Sequence, residues 1–278
     1  MKIFEDIADI RSERWADPTA TWGLVPTMGF LHEGHLSLVR QACQANDRVG
    51  VSIFVNPTQF NDPKDLDSYP RDMERDLELL KKEGVALVWA PPPEIVYPAD
   101  YQTYVNVEKV TLPLEGAARP GHFKGVTTVV AKLFNVFQPH RAYFGQKDAQ
   151  QVVVIKQMVK DLNFNLNVIV APIVREADGL AMSSRNARLA PEARQQAPCL
   201  HQALQAAKTA FTGGQHNAEQ LRATMLAEIA QASLARVDYV SIAHPDTLEE
   251  LDTVEDRALF SMAVFVGNVR LIDNMVVG

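Results

Sequence analysis

The sequence predicts an α/β protein with a doubly wound parallel, Rossmann-like sheet and a second, smaller α+β domain. Short apolar runs alternate with helically spaced apolar residues through the first part of the chain, and this order is typical of parallel sheets with right-handed crossovers. After residue 186 the pattern changes to two consecutive helices and then three strands. We therefore predict domains at residues 1–176 and 177–278.

The elements of the first domain follow from hydrophobic periodicity. Runs of the length and composition of buried strands lie at 21–25, 49–55, 85–89, 142–144 and 168–174, with a further short strand predicted at 104–107. Apolar residues at helical spacing predict helices that begin near Gly34 and near Met73, and that cover about 126–137 and 149–162. Strand and helix thus alternate five times, as in a doubly wound sheet.

The second domain is predicted from its own pattern. Two alanine-rich helices are expected at about 191–211 and 218–234, separated by Gly213 and Gly214. Strand-like runs follow at about 238–243, 258–266 and 269–273. This order gives a small α+β unit.

Composition excludes several classes of protein. A chain of 278 residues with 47% hydrophobic residues can bury a substantial core, but it contains no apolar run near the ~20 residues that span a bilayer. The net charge of -7 argues against a nucleic-acid-binding protein, which would need a basic surface. Two cysteines and no signal peptide favour the cytoplasm. We expect neither a nucleic-acid nor a membrane partner.

The most informative segment is the decapeptide 26–35, Pro-Thr-Met-Gly-Phe-Leu-His-Glu-Gly-His, between a predicted strand and a predicted helix. The amino end of a helix attracts phosphate through its unpaired N–H groups and its dipole. His32 and His35 fall on one side of the first turn, where two imidazoles can donate hydrogen bonds to a reacting phosphoryl group. Gly29 and Gly34 allow the backbone to approach a ligand closely.

Two other interpretations of the histidine pair exist. His-x-x-His is also found as a surface pair or as half of a metal site. Structural zinc would need further ligands, but Cys43 and Cys199 lie far apart and the remaining histidines are scattered. The strand before the motif and the helix after it favour nucleotide chemistry.

Polar residues follow three of the predicted strands. In an open parallel sheet, ligands bind beyond the carboxyl ends of the strands. The three sets are Asn56, Thr58, Gln59 and Asn61; Gly145, Gln146, Lys147, Asp148 and Gln151; and Arg175, Ser183, Ser184 and Arg185. Phosphates suit the side chains of Lys147, Ser183, Ser184 and Arg185. The neutral amides of Gln59 and Gln151 suit a small substrate. Solvation alone also explains polar loop residues.

Three acidic residues, Asp72, Glu74 and Asp76, open the helix that begins near Met73. They have two possible roles. They can attract Mg²⁺, or they can simply complement the helix dipole, as acidic residues in a first turn more often do.

Six ordered sequence blocks resemble the pantothenate synthetase family, ligases that join pantoate to β-alanine. The blocks are Pro-Thr-Met-Gly-x-Leu-His-x-Gly-His at 26–35, Phe-Val-Asn-Pro-Thr-Gln-Phe at 54–60, Tyr-Pro-Arg at 69–71, Arg-Pro-Gly-His-Phe at 119–123, Phe-Gly-Gln-Lys-Asp at 144–148 and Met-Ser-Ser-Arg-Asn at 182–186. The His-x-Gly-His element alone is shared with other nucleotidyltransferases and with class I aminoacyl-tRNA synthetases. The Asn-Pro-Thr-Gln-Phe and Gln-Lys-Asp blocks are more specific.

The resemblance implies an ATP-dependent, AMP-forming ligase of the coenzyme A pathway. ATP and pantoate would form an enzyme-bound pantoyl adenylate with loss of pyrophosphate, and the amine of β-alanine would then release AMP. ATP would be a substrate, Mg²⁺ a cofactor, and the protein a cytoplasmic homodimer. Closure over the site would protect the acyl adenylate from water.

The resemblance also implies roles for individual residues. His35, His32 and Lys147 would be catalytic, and pantoate would be held by Gln59, Gln151, Met28 and Asn56. ATP would be bound by Met28, His32, His35, Gly145, Lys147, Asp148, Val174, Met182, Ser183, Ser184 and Arg185. Many relatives carry two adjacent acids where this chain has Arg75 and Asp76, so the Mg²⁺ contact would rest on Asp76 alone, on phosphates and water, or on Glu74. Of these, Asp76 is the metal candidate.

Two other functions compete with this one. The first is an adenylyl or cytidylyl transferase acting on a phosphate acceptor, which would need a basic acceptor pocket rather than the neutral Gln59 and Gln151. The second is a non-catalytic nucleotide-binding regulator, whose function would survive loss of His35.

Overall fold

The computed structural model describes residues 1–278, which fold as two compact units. Unit 1 comprises Met1–Gly145 and Val154–Ala171, and unit 2 comprises Gln146–Val153 and Pro172–Gly278. The domain bounds of 1–176 and 177–278 stay a prediction. The two units differ from those bounds in assigning residues 146–153 and 172–176 to the second unit.

Unit 1 is built on a six-stranded sheet in which every pair of neighbouring strands is parallel. The strand order is β1-β4-β3-β2-β5-β6, so the order reverses between β2 and β5. This confirms the doubly wound sheet. The elements are β1 (Lys2–Phe4), α1 (Ile7–Trp15), β2 (Trp22–Thr27), α2 (Glu33–Ala45), β3 (Arg48–Ile53), α3 (Pro63–Asp67), α4 (Met73–Lys82), β4 (Leu87–Trp89), α5 (Pro93–Val96), α6 (Glu115–Ala118), α7 (His122–Phe137), β5 (Arg141–Gly145), α8 (Ala149–Asp161) and β6 (Asn167–Ala171).

The core of this unit explains the apolar runs. Strand β2 lies in the interior of the parallel sheet, between β3 and β5, so its side chains are buried along most of its length. Leu24 and Val25 are examples. Helix α2 turns Leu36, Val39 and Ala42 inward at helical spacing. The two elements thereby fix the direction of the loop between them, which carries the decapeptide.

The structure differs from the sequence prediction in several segments of unit 1. Residues 104–107 do not form the predicted strand: the N–H of Val105 donates to Oγ1 of Thr128 at 3.0 Å, and its carbonyl accepts from Oγ1 of Thr127 at 2.7 Å. Threonine hydroxyls of α7 thus make the hydrogen bonds to the backbone N–H and carbonyl of Val105 that a neighbouring strand would otherwise make. Five further elements, β1, α1, α3, α5 and α6, were not predicted, because they are short or largely polar.

Unit 2 contains an antiparallel three-stranded sheet with strand order β7-β8-β9. The small α+β architecture is therefore as predicted. Its elements are α9 (Pro191–Gln196), α10 (Cys199–Thr212), α11 (Ala218–Ile229), β7 (Ala235–Ala243), β8 (Ala258–Val266) and β9 (Val269–Val277), and α8 begins in the segment 146–153. The single helix predicted at 191–211 is wrong, because Pro198 lacks the N–H that would continue the hydrogen-bond ladder and two helices flank it.

The helices of unit 2 pack on its sheet through small residues. Ala203, Leu204 and Ala207 of α10 belong to one buried cluster with Leu221 of α11 and Phe260 of β8. None of the helices in the chain has the length and apolarity needed to cross a membrane.

Candidate active site

The loop between β2 and α2 is held in a conformation that few residues adopt. Gly29 has φ +82° and Phe30 has φ +51°, so the chain turns sharply through the left-handed region. The Asp76 carboxylate of α4 accepts the N–H of Phe30 at 2.6 Å and the N–H of Leu31 at 2.8 Å. Asp76 therefore fixes the loop that delivers His32.

Asp76 does this from the protein interior. The residue is 1% exposed, and burial raises the pKa of its carboxyl while the two backbone donors oppose that rise. The same carboxylate is the predicted Mg²⁺ ligand, yet each of its oxygens already accepts a backbone hydrogen bond. Asp72, another of the three acids, caps α4 by accepting the N–H of Arg75.

The chain offers no ready-made metal site. No group of three or more His, Cys, Asp or Glu side chains is arranged to hold a metal ion. Mg²⁺ is usually bound by one or two carboxylates together with substrate phosphates and water, so Asp76 stays a predicted ligand.

His32 and His35 cap α2 reciprocally. The N–H of Gly34 donates to Nδ1 of His32 at 3.1 Å, and the N–H of His32 donates to Nδ1 of His35 at 3.3 Å. This is a capping box in which both side-chain acceptors are imidazoles. The ring centroids are 4.1 Å apart, so the expectation that both rings share one side of the first turn is met.

The caps determine the tautomer of both rings. A neutral imidazole whose Nδ1 accepts a hydrogen bond carries its proton on Nε2. Each ring therefore has an Nε2–H donor, and the two donors are fixed at the amino end of α2. The backbone N–H groups of His32 and Gly34 donate to the imidazoles, so these two donors are engaged within the chain.

Asn56 organises the turn that follows β3. It is 1% exposed, and its Nδ2 donates to the carbonyl of Gly125 and to Oε1 of Gln59, both at 3.1 Å. Its Oδ1 accepts from Thr58 at 2.9 Å and from Tyr97 at 2.8 Å. Asn56 was predicted as a substrate ligand, and that role stays a prediction. In the structure its amide is fully engaged by these four hydrogen bonds, one of which holds Gln59.

Tyr97 remains a donor in this network at neutral pH. Burial raises the pKa of its phenol to about 12, so the hydroxyl stays protonated and continues to donate to Asn56.

Gln59 lies beside Met28, as the prediction that both line the substrate site requires. Nε2 of Gln59 is 3.4 Å from Sδ of Met28, and both side chains are partly exposed. The carbonyl of Gln59 accepts from Nδ1 of His122 at 2.8 Å and from Nη2 of Arg119 at 3.1 Å. Asn56 thus holds the side-chain amide of Gln59, while Arg119 and His122 hold its backbone carbonyl.

The supporting residues around Gln59 were not predicted. Arg119 and His122 belong to the Arg-Pro-Gly-His-Phe block, but no local pattern assigns them a role, because their partner lies about 60 residues away. Gly125 was missed for the same reason. A Cβ atom there would lie 2.5 Å from the carbonyl oxygen of Thr58 and 2.7 Å from the backbone nitrogen of Gln59.

Unit 2 carries the predicted phosphate-binding residues in two loops. Residues Gln146–Asp148 form a short 3₁₀ turn that leads into α8, and Nζ of Lys147 lies 3.7 Å from Oδ1 of Asp148. Gln151 is partly exposed on the first turns of α8. Gly145, the last residue of β5, has no atom of the chain within 4 Å of where a Cβ would be.

The second loop follows a tight hairpin. The N–H of Met182 donates to the carbonyl of Val174 at 3.0 Å, which brings these two predicted ATP-binding residues together. Oγ of Ser183 accepts the N–H of Arg185 at 3.2 Å and caps a 3₁₀ helix at Ser184–Arg188. The loop is therefore anchored by its own backbone.

A family model described as pantoate-β-alanine ligase matches residues 2–276. The chain belongs to the pantoate-β-alanine ligase family. A pantothenate synthetase of Herpetosiphon aurantiacus is 57% identical, with 99% of this chain and 100% of that protein covered.

Solved structures of the family are similar in fold. A pantothenate synthetase from Thermus thermophilus matches with a TM-score of 0.94 and 45% identity, covering 99% of both chains. The Francisella tularensis pantoate-β-alanine ligase, solved in complex with β-γ ATP and β-alanine, matches with a TM-score of 0.82 and 35% identity, covering 99% of this chain and 97% of that one.

The comparisons confirm the family that the six sequence blocks suggested, its fold and its class as an ATP-dependent ligase. They decide against the rival functions, a transferase acting on a phosphate acceptor and a non-catalytic nucleotide-binding regulator. The roles of the individual residues are a separate question.

Proposed function

We propose that this protein condenses pantoate with β-alanine, using ATP, through a pantoyl adenylate. In the first step a pantoate carboxylate oxygen attacks the α-phosphorus of ATP, a P–O bond forms, and pyrophosphate leaves. In the second step the neutral amine of β-alanine attacks the acyl carbon, an amide bond forms, AMP leaves, and the amine loses a proton.

The observation that carries the proposal is the pair of histidines at the start of α2. Since Nδ1 of each ring accepts a backbone N–H, each ring can present an Nε2–H donor to the α-phosphate as negative charge develops on its oxygens. We assign His32 and His35 this stabilising role. Removing one such donor typically slows a reaction by about 10²–10³-fold.

The remaining roles follow from side-chain chemistry. We assign Lys147, Ser183, Ser184 and Arg185 to the ATP phosphates, because an ammonium, two hydroxyls and a guanidinium suit phosphate oxygens. Gly145, Asp148, Val174 and Met182 are assigned to the nucleoside, and Gln59, Gln151 and Met28 to pantoate. Asn56 acts on pantoate through Gln59, whose amide oxygen it holds.

We propose that Mg²⁺ enters with ATP as its counter-ion. This accords with the engaged carboxylate of Asp76 and with the lack of a three-ligand acidic or histidine cluster. ATP phosphates and water would then supply most of its ligands.

We further propose a homodimer in the cytoplasm. Cys43 and Cys199 are not joined in a disulfide, which accords with a reducing compartment. Symmetric dimers are the commonest soluble oligomers.

The decisive experiment measures AMP and pyrophosphate release from Mg-ATP with pantoate, in the presence and absence of β-alanine. Pantothenate and AMP should form in equal amounts only when all substrates are present. Pyrophosphate release that needs a different acid, or no release with pantoate at all, would refute the substrate assignment.

The histidine role is tested with His32→Asn. Asparagine is a good helix N-cap, so the variant keeps the start of α2 but lacks the Nε2–H donor. We expect wild-type thermal stability and a kcat reduced by about 10²-fold or more. A variant that retains wild-type kcat would show that His32 is only a cap.

A further inference from the structure

Two adjacent residues of β9, Asp273 and Asn274, contact the loop that carries Lys147 and the hairpin that leads into the Ser183 loop. They are 2% and 4% exposed, although both side chains are polar. Burial of an amide beside a carboxylate is costly unless every polar atom finds a partner. The partners of these two side chains therefore indicate what the pair is for.

Asn274 holds the loop that carries Lys147. Its Nδ2 donates to the carbonyl of Gln146 at 3.0 Å and to the carbonyl of Lys147 at 2.8 Å. Its Oδ1 accepts from Nε2 of Gln146 at 3.0 Å. Two donated hydrogen bonds to backbone carbonyls and one accepted from the Gln146 side chain thus hold the loop from which the Lys147 ammonium extends.

Asp273 holds the hairpin that leads into the Ser183 loop. Its carboxylate pairs with Arg175 in two hydrogen bonds, of 2.6 Å to Nη1 and 2.9 Å to Nη2. Nη1 of Arg175 also donates to the carbonyl of Gly179, at the tip of the same hairpin. The N–H of Asn274 donates to Oδ1 of Asp273 at 2.8 Å, which joins the two halves of the network.

We infer that Asp273 and Asn274 are positioning residues for ATP: they set the Lys147 loop and the 174–186 segment in one fixed arrangement. This inference rests on the proposed function, because it takes Lys147 and Ser183–Arg185 to bind ATP phosphates. A displacement of about 1 Å in such groups can cost about 10²-fold in rate. The pair acts through the ligating residues and does not itself touch the substrate.

The inference is tested by a double-mutant cycle with Asn274→Ala and Lys147→Ala. Alone, Asn274→Ala should lower kcat/KM for ATP by about 10²-fold, through a higher KM for ATP and a lower kcat, while KM for β-alanine stays within about twofold. In the Lys147→Ala background, the same change should cost less than about threefold, since the group it positions is gone.

The matched control is Ser261→Ala. Ser261 lies opposite Asn274 in the β8–β9 register and is also buried, but its hydroxyl has no partner. It should leave KM for ATP unchanged. Asn274→Asp serves as a second variant, because it keeps the acceptor for Gln146 and loses both donations to the loop carbonyls.

The outcomes are distinct. Three outcomes would overturn the inference and show that Asn274 makes a purely structural contact. They are an equal loss of kcat/KM in the wild-type and Lys147→Ala backgrounds, an unchanged KM for ATP, and a failure of both Asn274 variants to fold. A wild-type protein that makes no AMP from ATP and pantoate would instead refute the proposed function, before any variant is considered.

Discussion

Gly125→Ala should damage the proposed pantoate site through a single added methyl group. The new Cβ would lie 2.5 Å from the carbonyl oxygen of Thr58, 2.6 Å from its carbonyl carbon and 2.7 Å from the nitrogen of Gln59. These atoms are backbone atoms, and real carbon contacts need about 3.5 Å, so the turn must move by nearly 1 Å. The hydrogen bond from Asn56 to the Gly125 carbonyl, now 3.1 Å, would be strained by the same movement.

We expect a stability loss of about 1–3 kcal/mol, as for other overpacked sites, and a larger kinetic effect. Because Gln59 moves with the turn, kcat/KM for pantoate should fall by about 10²-fold, equivalent to about 2.7 kcal/mol of transition-state stabilisation. KM for ATP should change much less. Steady-state pantothenate formation, with each substrate varied in turn, measures these constants.

Gly213→Ala is the control for a glycine-to-alanine change. Its nearest neighbours would be carbonyl oxygens at 3.3 Å, and its φ of -79° suits any residue. It should keep the wild-type kcat/KM for pantoate. If Gly125→Ala also kept a wild-type kcat/KM for pantoate, the argument that the 57–59 turn positions Gln59 would be wrong.

Three further changes have expected outcomes. The Cβ of Gly145→Ala would lie more than 4 Å from any atom outside its chain neighbours, so the melting temperature should not change. KM for ATP, measured at fixed concentrations of pantoate and β-alanine, should rise because the methyl group would enter the proposed nucleoside site. An unchanged KM would show that Gly145 is not part of that site. Asp76→Asn loses one acceptor for the Phe30–Leu31 backbone, so the free energy of unfolding measured in urea should fall by about 1–3 kcal/mol. The Mg²⁺ concentration that gives half-maximal rate should stay constant. A shift in that concentration would show that Asp76 is a Mg²⁺ ligand. Burial, aided by Arg14 and Arg141, lowers the pKa of His140, whose Nδ1 accepts the N–H of Trp22. As pH falls below 6.5, the imidazole of His140 therefore binds a proton more readily in the unfolded chain than in the folded one, and the folded protein loses stability. Between about pH 7.5 and 5.5, the melting temperature of His140→Asn should drop less than that of the wild type. An equal drop would assign the effect to other groups.

The parts of the fold that were predicted depend on local patterns. The apolar run of β2 and the helical spacing of α2 fix the loop between them, and the spacing of His32 and His35 places their rings together. Gln59 and Met28 were predicted as one site only through the family resemblance, and their 3.4 Å approach agrees with it.

The parts that were not predicted depend on contacts between distant residues. Asp76 is a helix acid in sequence, and only the approach of the Phe30–Leu31 backbone makes it an anchor. The segment 104–107 reads as a strand, but hydroxyls of Thr127 and Thr128 replace the sheet partner. In both cases a polar group from a remote element satisfies the backbone, and no local pattern records that partner.

The discontinuous make-up of unit 2 limits how the chain can be cut. A fragment starting at Pro172 would contain β9 but not residues 146–153, so the Asn274 amide would lose its three hydrogen bonds to Gln146 and Lys147. An independently expressed second unit would consequently retain its apolar core and still unfold more easily than that core suggests. Joining residues 146–153 to Pro172 by a flexible linker would restore those bonds in a single short polypeptide.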